Sequence, residues 1–280
     1  MRDSTTYDRP MPRLAVLGHP VSHSRSPAMQ NAALAELGLA DSWSYEAIEV
    51  TAEGFEPLVR SLPGDGFAGV NVTVPHKLAA LALADDASEA AREIGAANTL
   101  TFNGNRIEAA NTDAAGFLNA LPQRPAGRPA LVLGAGGSAR AVAWALVGAG
   151  AEVAICNRAG AEASALAIEF GAEAVPDPDP TPFDLLVNAT TVGMDQASGR
   201  DAPGLKGAPV DVDEIQARHL VVDLVYGPVE TPLISAARER GAATVDGLEV
   251  LVCQGAASLR IWTGQDPPLA TMRQAARDLR

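Results

Sequence analysis

The sequence predicts an α/β protein built as two βα domains around a cleft. Three observations predict it. Short apolar runs alternate with stretches of helical spacing from Arg13 onward, a proline-rich break interrupts the pattern near mid-chain, and a glycine-rich turn follows the first strand after that break. A length of 280 residues suits two domains, and 47% apolar with 20% charged residues is a globular composition rather than a disordered one.

In the first half, Leu14–Gly18 is strand-like and ends in glycine. Ser26-Pro27 opens a stretch with Met29, Ala32, Ala33 and Leu37 at helical spacing, closing at Gly38. Ser44–Val50 reads as a second strand, Glu53–Leu62 as a helix, and Phe67–Val74 as a third strand stopped by Pro75. Helical spacing returns over Leu78–Ala84 and Ala87–Ile94, and a hairpin is expected around Asn103-Gly104. Pro122–Pro129 holds three prolines and a glycine, the signature of a linker. Beyond it, residues 130–158 form a compact strand–turn–helix–strand unit. Phe183–Thr190, His219–Tyr226 and Ala242–Gly247 read as further strands, and Leu248–Trp262 and Leu269–Leu279 as helices. The expected division is 13–112 plus 248–280 for one domain and 113–247 for the other, with ligands in the cleft between them.

Charge and composition exclude several roles. A net charge of −13 repels nucleic-acid backbones and anionic membranes, so neither is an expected partner. Cys156 and Cys253 lie in apolar runs without a CxxC pair, which fits buried thiols in a reducing cytoplasm. The four histidines show no metal-ligand spacing, and no metal is expected. The charge-free run Ala141–Ala151 is too short to span a bilayer, and the N-terminus reads as a polar tail without a signal-peptide core. Of 21 basic residues only Lys77 and Lys206 are lysines. A lysine amine can release a proton when its pKa falls, whereas arginine stays charged, so Lys77, just past the strand-ending Pro75, invites a chemical role.

Gly134, Gly136 and Ala139 satisfy G-x-G-x-x-A directly after a strand and at the start of a helix, a Rossmann-type dinucleotide-binding pattern. Gly134 allows the tight turn, and Gly136 lets the backbone approach a pyrophosphate. Ala139 permits close helix–sheet packing, and Ala135, Gly137 and Ser138 complete the turn at a helix N-terminus whose N–H groups face the anion. The second strand of the unit ends in Asn157-Arg158, where an NAD enzyme usually carries a carboxylate for the ribose 2′-OH. Arg158 can pair with a 2′-phosphate and Asn157 can donate to it, so NADP(H) is favoured and NAD(H) remains possible.

Polar clusters stand where strands end: Gly18–Pro27 (GHPVSHSRSP), Asn71–Lys77 (NVTVPHK), Ala96–Thr99 (AANT) and Ala110–Gly116 (ANTDAAG). With GAGGSAR (Gly134–Arg140), NATTVGM (Asn188–Met194), DLVYGPVETPL (Asp223–Leu233) and DGLEVLVCQGA (Asp246–Ala256), the chain resembles the shikimate dehydrogenase family from about Arg13 to its end, in the same order. The resemblance implies reversible reduction of 3-dehydroshikimate to shikimate by NADPH, a step of aromatic amino-acid biosynthesis, by a cytoplasmic monomer or homodimer acting on a small-molecule substrate. It implies that Ser24 and Ser26, helped by Tyr226, hold the substrate carboxylate, and that Thr73, Asn98 and Gln254 bind the ring hydroxyls. Lys77 and Asp113 would be the catalytic pair. Glu89, Asn188, Thr190, Leu224 and Gly247 would lie on the cofactor side. Ser24 and Ser26 also suit helix capping before Pro27.

The chain departs from the family pattern at two places. Gln30 stands where the first motif commonly carries histidine, which is expected to alter helix packing rather than chemistry. After Asn157-Arg158 the family's clamp continues with a hydroxyl and a second arginine, whereas this chain has Ala159-Gly160-Ala161-Glu162. Glu162 would push against a 2′-phosphate and keeps open an NAD-dependent quinate/shikimate dehydrogenase. An inert ligand-sensing regulator would be expected to lose Lys77 or Asp113 and to carry a DNA-binding appendage. A methylene-tetrahydrofolate dehydrogenase-like reading leaves the two-serine site without purpose.

Overall fold

The computed structural model describes residues 11–194 and 208–278. The polar tail expected at the N-terminus falls mostly outside these residues, as does Lys206. Two six-stranded sheets form the frame, with strand orders β2-β1-β3-β5-β6-β4 and β12-β11-β10-β7-β8-β9.

The first sheet contains β1 (Arg13–Gly18), β2 (Ser44–Glu49), β3 (Phe67–Val72), β4 (Asp86–Ala87), β5 (Thr99–Asn103) and β6 (Arg106–Ala110). β1 pairs in parallel with β2 and β3, and β5 runs antiparallel to both β3 and β6, the expected hairpin. Between them run α1 (Ser26–Glu36), α2 (Ala52–Ser61), α3 (Lys77–Ala82) and α4 (Glu89–Ile94). The second sheet contains β7 (Pro129–Leu133), β8 (Glu152–Cys156), β9 (Glu173–Ala174), β10 (Leu185–Asn188), β11 (Leu220–Asp223) and β12 (Ala243–Val245), all paired in parallel. Its four central strands, β11, β10, β7 and β8, are almost wholly buried and largely apolar because helices cover both faces, whereas the edge strands β9 and β12 are more exposed. Those helices include α5 (Asp113–Ala120), α6 (Gly137–Gly148), α7 (Gly160–Phe170) and α8 (Pro232–Glu239). The described chain closes with α9 (Gly247–Thr263) and α10 (Leu269–Asp278).

Leu14, Val16, Met29 and Leu34 from the start of the chain share a buried cluster with Val252, Leu259 and Met272 from α9 and α10. Gln30, fully buried, donates from Nε2 to the Gly255 carbonyl at 2.9 Å and so fastens α1 to α9. Both cysteines are free and buried.

Three local details differ from the sequence expectations. Asp113–Ala120 is a helix, where the sequence offered only a polar cluster running into a linker. α3 begins at Lys77 itself, which places that side chain on its first turn. Neither Ser24 nor Ser26 caps α1. Arg25 occupies the cap position without a side-chain bond, and the Ser24 hydroxyl instead accepts from the Ser26 N–H at 3.2 Å.

Candidate active site

Lys77 and Asp113 begin two helices that meet at the cleft. His76, buried and stacked on Phe55 with ring centroids 4.5 Å apart, fixes the turn into α3, and its Nε2 lies 2.7 Å from the Val50 carbonyl. Asn111 accepts at Oδ1 from the N–H groups of Asp113 and Ala114, steadying the turn into α5. The Lys77 Nζ donates to Asp113 Oδ2 at 2.7 Å and to Ser138 Oγ at 2.8 Å. Two of its three N–H donors are thereby engaged and one is left for a ligand. The other Asp113 oxygen accepts from Asn98 Nδ2 at 2.8 Å, and that amide also approaches Gln254 Oε1 at 3.1 Å. The structure thus brings Lys77, Asp113, Asn98 and Gln254 into one connected cluster. Thr73 follows β3 at the same end of the sheet.

A second cluster gathers Ser24, Ser26 and Tyr226. Burial pushes the Tyr226 phenol pKa up, and the nearby Ser24 hydroxyl, Arg25 N–H and Arg25 charge act against that rise. Tyr45 joins this cluster without having been expected. Its phenol is pushed well up by burial and by Tyr226, while a hydrogen bond with Ser26 works the other way. The Tyr45 hydroxyl donates to Asn71 Oδ1 at 2.8 Å, and Asn71 Nδ2 donates to Ser258 Oγ at 2.8 Å. Ser258 lies 3.0 Å from the Thr112 hydroxyl, and Asn98 Oδ1 accepts from the Thr112 N–H at 2.7 Å. A buried polar chain therefore joins the two serines to the lysine–aspartate pair. The signal that could have found it is Asn71, an amide inside an otherwise apolar strand.

A cleft of about 650 Å³ runs between the sheets, with Lys77 and Leu78 on one wall and Gly134–Ser138, Asn157, Arg158 and Ala189–Val192 on the other. Gly134 turns with φ +112°, and no atom lies within 4 Å of where a Gly136 Cβ would stand, so the α6 N-terminus is open to an incoming anion. Among the described residues Arg158, exposed on the cleft wall, forms no ion pair. A glycine turn, a free helix terminus and an uncommitted guanidinium fit an anionic dinucleotide.

Several residues expected on the cofactor side do not line this cleft. Ala139 is fully buried in the helix–sheet interface, its expected packing role. Asn188 is also fully buried: its amide donates to Asp223 Oδ1 at 2.8 Å and to the Val192 carbonyl at 3.1 Å, while its Oδ1 accepts from Thr190. It shapes the loop that carries Thr190 to the wall. Leu224 and Gly247 cross at close range, with the Leu224 carbonyl 2.7 Å from where a Gly247 Cβ would lie. Glu89 is exposed on the first turn of α4, away from the wall. Burial raises the Asp223 pKa to about 6 against hydrogen bonds from Thr231, the Val225 N–H and Asn188. Among the described residues, no helix is long and apolar enough to cross a membrane.

A glycine-turn nucleotide cradle facing a lysine–carboxylate pair across a cleft defines a two-domain oxidoreductase of the nicotinamide-nucleotide class. Residues 16–100 match the shikimate dehydrogenase substrate binding domain, and residues 247–277 the C-terminal domain of shikimate 5′-dehydrogenase. An NADP(+) shikimate dehydrogenase of Thermus thermophilus is 46% identical over 269 residues, covering 95% of this chain and 98% of that protein. The chain belongs to the shikimate dehydrogenase family. Among solved structures, a Thermus thermophilus shikimate 5-dehydrogenase in complex with NADP(H) and shikimate superimposes with a TM-score of 0.86 at 44% identity, covering 95% of this chain and 99% of that one. Quinate dehydrogenase from Corynebacterium glutamicum in complex with NAD gives a TM-score of 0.82 at 31% identity, covering 96% and 99%.

Proposed function

We propose that this protein is an NADP-dependent shikimate dehydrogenase, reversibly reducing 3-dehydroshikimate to shikimate in the cytoplasm as a monomer or homodimer. In this reading residues 13–112 and 248–280 form the substrate domain and 113–247 the nucleotide domain. The observation that carries it is the Lys77 ammonium, held by Asp113 and Ser138 at 2.7 and 2.8 Å on the wall of the nucleotide cleft. Gly134–Ser138, Arg158 and Thr190 would hold a nicotinamide cofactor, which would supply a hydride to the carbonyl carbon, whereas the Asn157 amide is taken up by Glu162 and the Ala159 carbonyl. The negative charge that then builds on the carbonyl oxygen needs a donor that both stabilises and protonates it. Lys77 has a free N–H for this, and Asp113 keeps the amine aimed and takes part in the proton balance. Ser24, Ser26 and Tyr226 offer hydroxyls to the substrate carboxylate, and Thr73, Asn98 and Gln254 offer groups to the ring hydroxyls.

The test is an initial-rate assay with shikimate and each nicotinamide cofactor. Turnover of shikimate with NADP+ is expected, and its absence with both cofactors would sink the reading. A second reading, an NAD-linked quinate/shikimate dehydrogenase, is favoured by one contact, the hydrogen bond from Asn157 to Glu162 at 2.8 Å. Faster turnover of quinate with NAD+ would select it.

A further inference from the structure

Away from the substrate and cofactor groups, the two halves of the molecule are gripped at a second point. Arg140, on the first turns of α6, reaches across and donates from Nε to the carbonyl of Ile94 at 2.6 Å, the last residue of α4. Its guanidinium is mostly buried, pairs with Glu169 on α7 and lies over the Phe170 ring at 5.4 Å. One turn further along α6, the Trp144 indole donates to Glu93 on α4 at 3.1 Å. Gly95 ends α4 with φ +71°, and a Cβ there would stand 2.4 Å from the Arg140 guanidinium. The same arrangement recurs at the active site, where a Cβ on Gly137 would stand 2.8 Å from the Lys77 Cβ. Each grip thus joins a long basic side chain from one half to a bare glycine backbone in the other.

The segment that Arg140 holds leads straight into the site. Ile94 and Gly95 are followed by Ala97, whose N–H donates to the Lys77 carbonyl at 2.9 Å, and by Asn98, whose amide holds Asp113. Arg140 itself sits two residues beyond Ser138, the residue on α6 that holds the Lys77 ammonium. One rigid helix therefore fixes the catalytic cluster at two places, by Ser138 to the lysine and by Arg140 to the strand of chain that brings Asn98.

We propose that Arg140 is a positioning residue for hydride transfer: by gripping the end of α4 from the cofactor-binding helix, it sets the spacing between the Lys77–Asp113–Asn98 cluster and the nucleotide cradle. This rests on the proposed dehydrogenase function. Displacing reacting groups by about 1 Å can cost on the order of 100-fold in rate while leaving each binding contact intact.

The test compares wild type with Arg140→Gln in shikimate oxidation, using shikimate with and without deuterium at the oxidised carbon. The variant is expected to lose about tenfold or more in kcat and to show a larger deuterium isotope effect on kcat. Dissociation constants for shikimate and for 2′,5′-ADP should stay within about twofold. Amide hydrogen exchange at residues 96–98 should speed up, a readout that needs no turnover. A variant with a lowered Tm but unchanged kcat and isotope effect would overturn the proposal, as would unchanged exchange. If Arg140→Gln does not fold, Glu169→Gln loosens the same guanidinium without removing it and should move kcat and exchange in the same direction, by less. No change in either would equally defeat the idea. A wild type that leaves shikimate untouched defeats the functional reading instead, and the exchange experiment still decides whether the grip exists.

Discussion

The carboxylate of Glu162 accepts a hydrogen bond from the side-chain amide of Asn157 at 2.8 Å, and the same amide nitrogen lies 3.3 Å from the Ala159 carbonyl. Asn157 is thereby turned toward its own loop, leaving Arg158 as the cation at the end of β8, where a Rossmann-type fold meets the adenosine ribose. One guanidinium with a carboxylate nearby should give a modest NADP(H) preference. Arg158→Ala is expected to abolish it. Glu162→Arg should sharpen it, within the limit that solvent screening sets at an exposed site. The check is kcat/KM for both cofactors in wild type and both variants. A wild type that already prefers NAD(H), or an unchanged ratio in Arg158→Ala, would show that Glu162 dominates the site.

In the proposed reaction Lys77→Ala would remove the donor that meets charge formed only in the transition state. A fall in kcat on the order of 10²–10⁴ with little change in KM is expected. Steady-state kinetics decides it: a raised KM with near-normal kcat would make Lys77 a ground-state binding group.

Ser24→Ala and Ser26→Ala should mainly raise the KM for shikimate. In the proposed function each would remove a hydrogen bond to the substrate carboxylate, worth roughly 1.5–3 kcal/mol. Ser24 also supports the Ser26 N–H, so its variant is expected to lower Tm as well. Unchanged KM with lowered Tm would confine both serines to shaping the start of α1.

Asp223 gives a pH prediction. Its folded-state pKa, about 6, lies above the ordinary 3.8, chiefly because it is buried. Between these values the native state binds more protons than the unfolded chain, so this group's stabilising contribution is present in acid and is lost as pH rises through about 6. Asp223→Asn cannot ionise and should lose less stability than wild type between pH 4.5 and pH 7, measured as Tm against pH. Parallel curves for the two proteins would refute a raised Asp223 pKa.

Much of this was legible in the sequence, and the reasons are local. Strands such as Leu220–Asp223, buried on both faces, are nearly unbroken apolar runs, and the glycine turn has its own spacing. α5 was not legible. Its residues DAAGFLNA contain a glycine and open on polar site residues, and the helix forms because it packs between α6 and α9. The polar chain from Tyr45 through Asn71 and Ser258 to Thr112 left only Asn71 as a signal: Ser258 lies 187 residues from Asn71 and 146 from Thr112, so no window of sequence contains the partners. The departure at Gln30 was readable, but its attachment to Gly255 was not.

The core shared by α1, α9 and α10 has a consequence for how the chain is made. As synthesis proceeds from the N-terminus, the second sheet has all its strands by Val245, whereas Leu14, Val16, Met29 and Leu34 stay uncovered until Val252, Leu259 and Met272 leave the ribosome. The core on one face of the first sheet is therefore complete by Ala109, whereas its other face is the last part of the molecule to be finished. A ribosome stalled, or a chain cut, near residue 246 leaves the second sheet with its described strands in place and the first sheet with one face still waiting for α9 and α10.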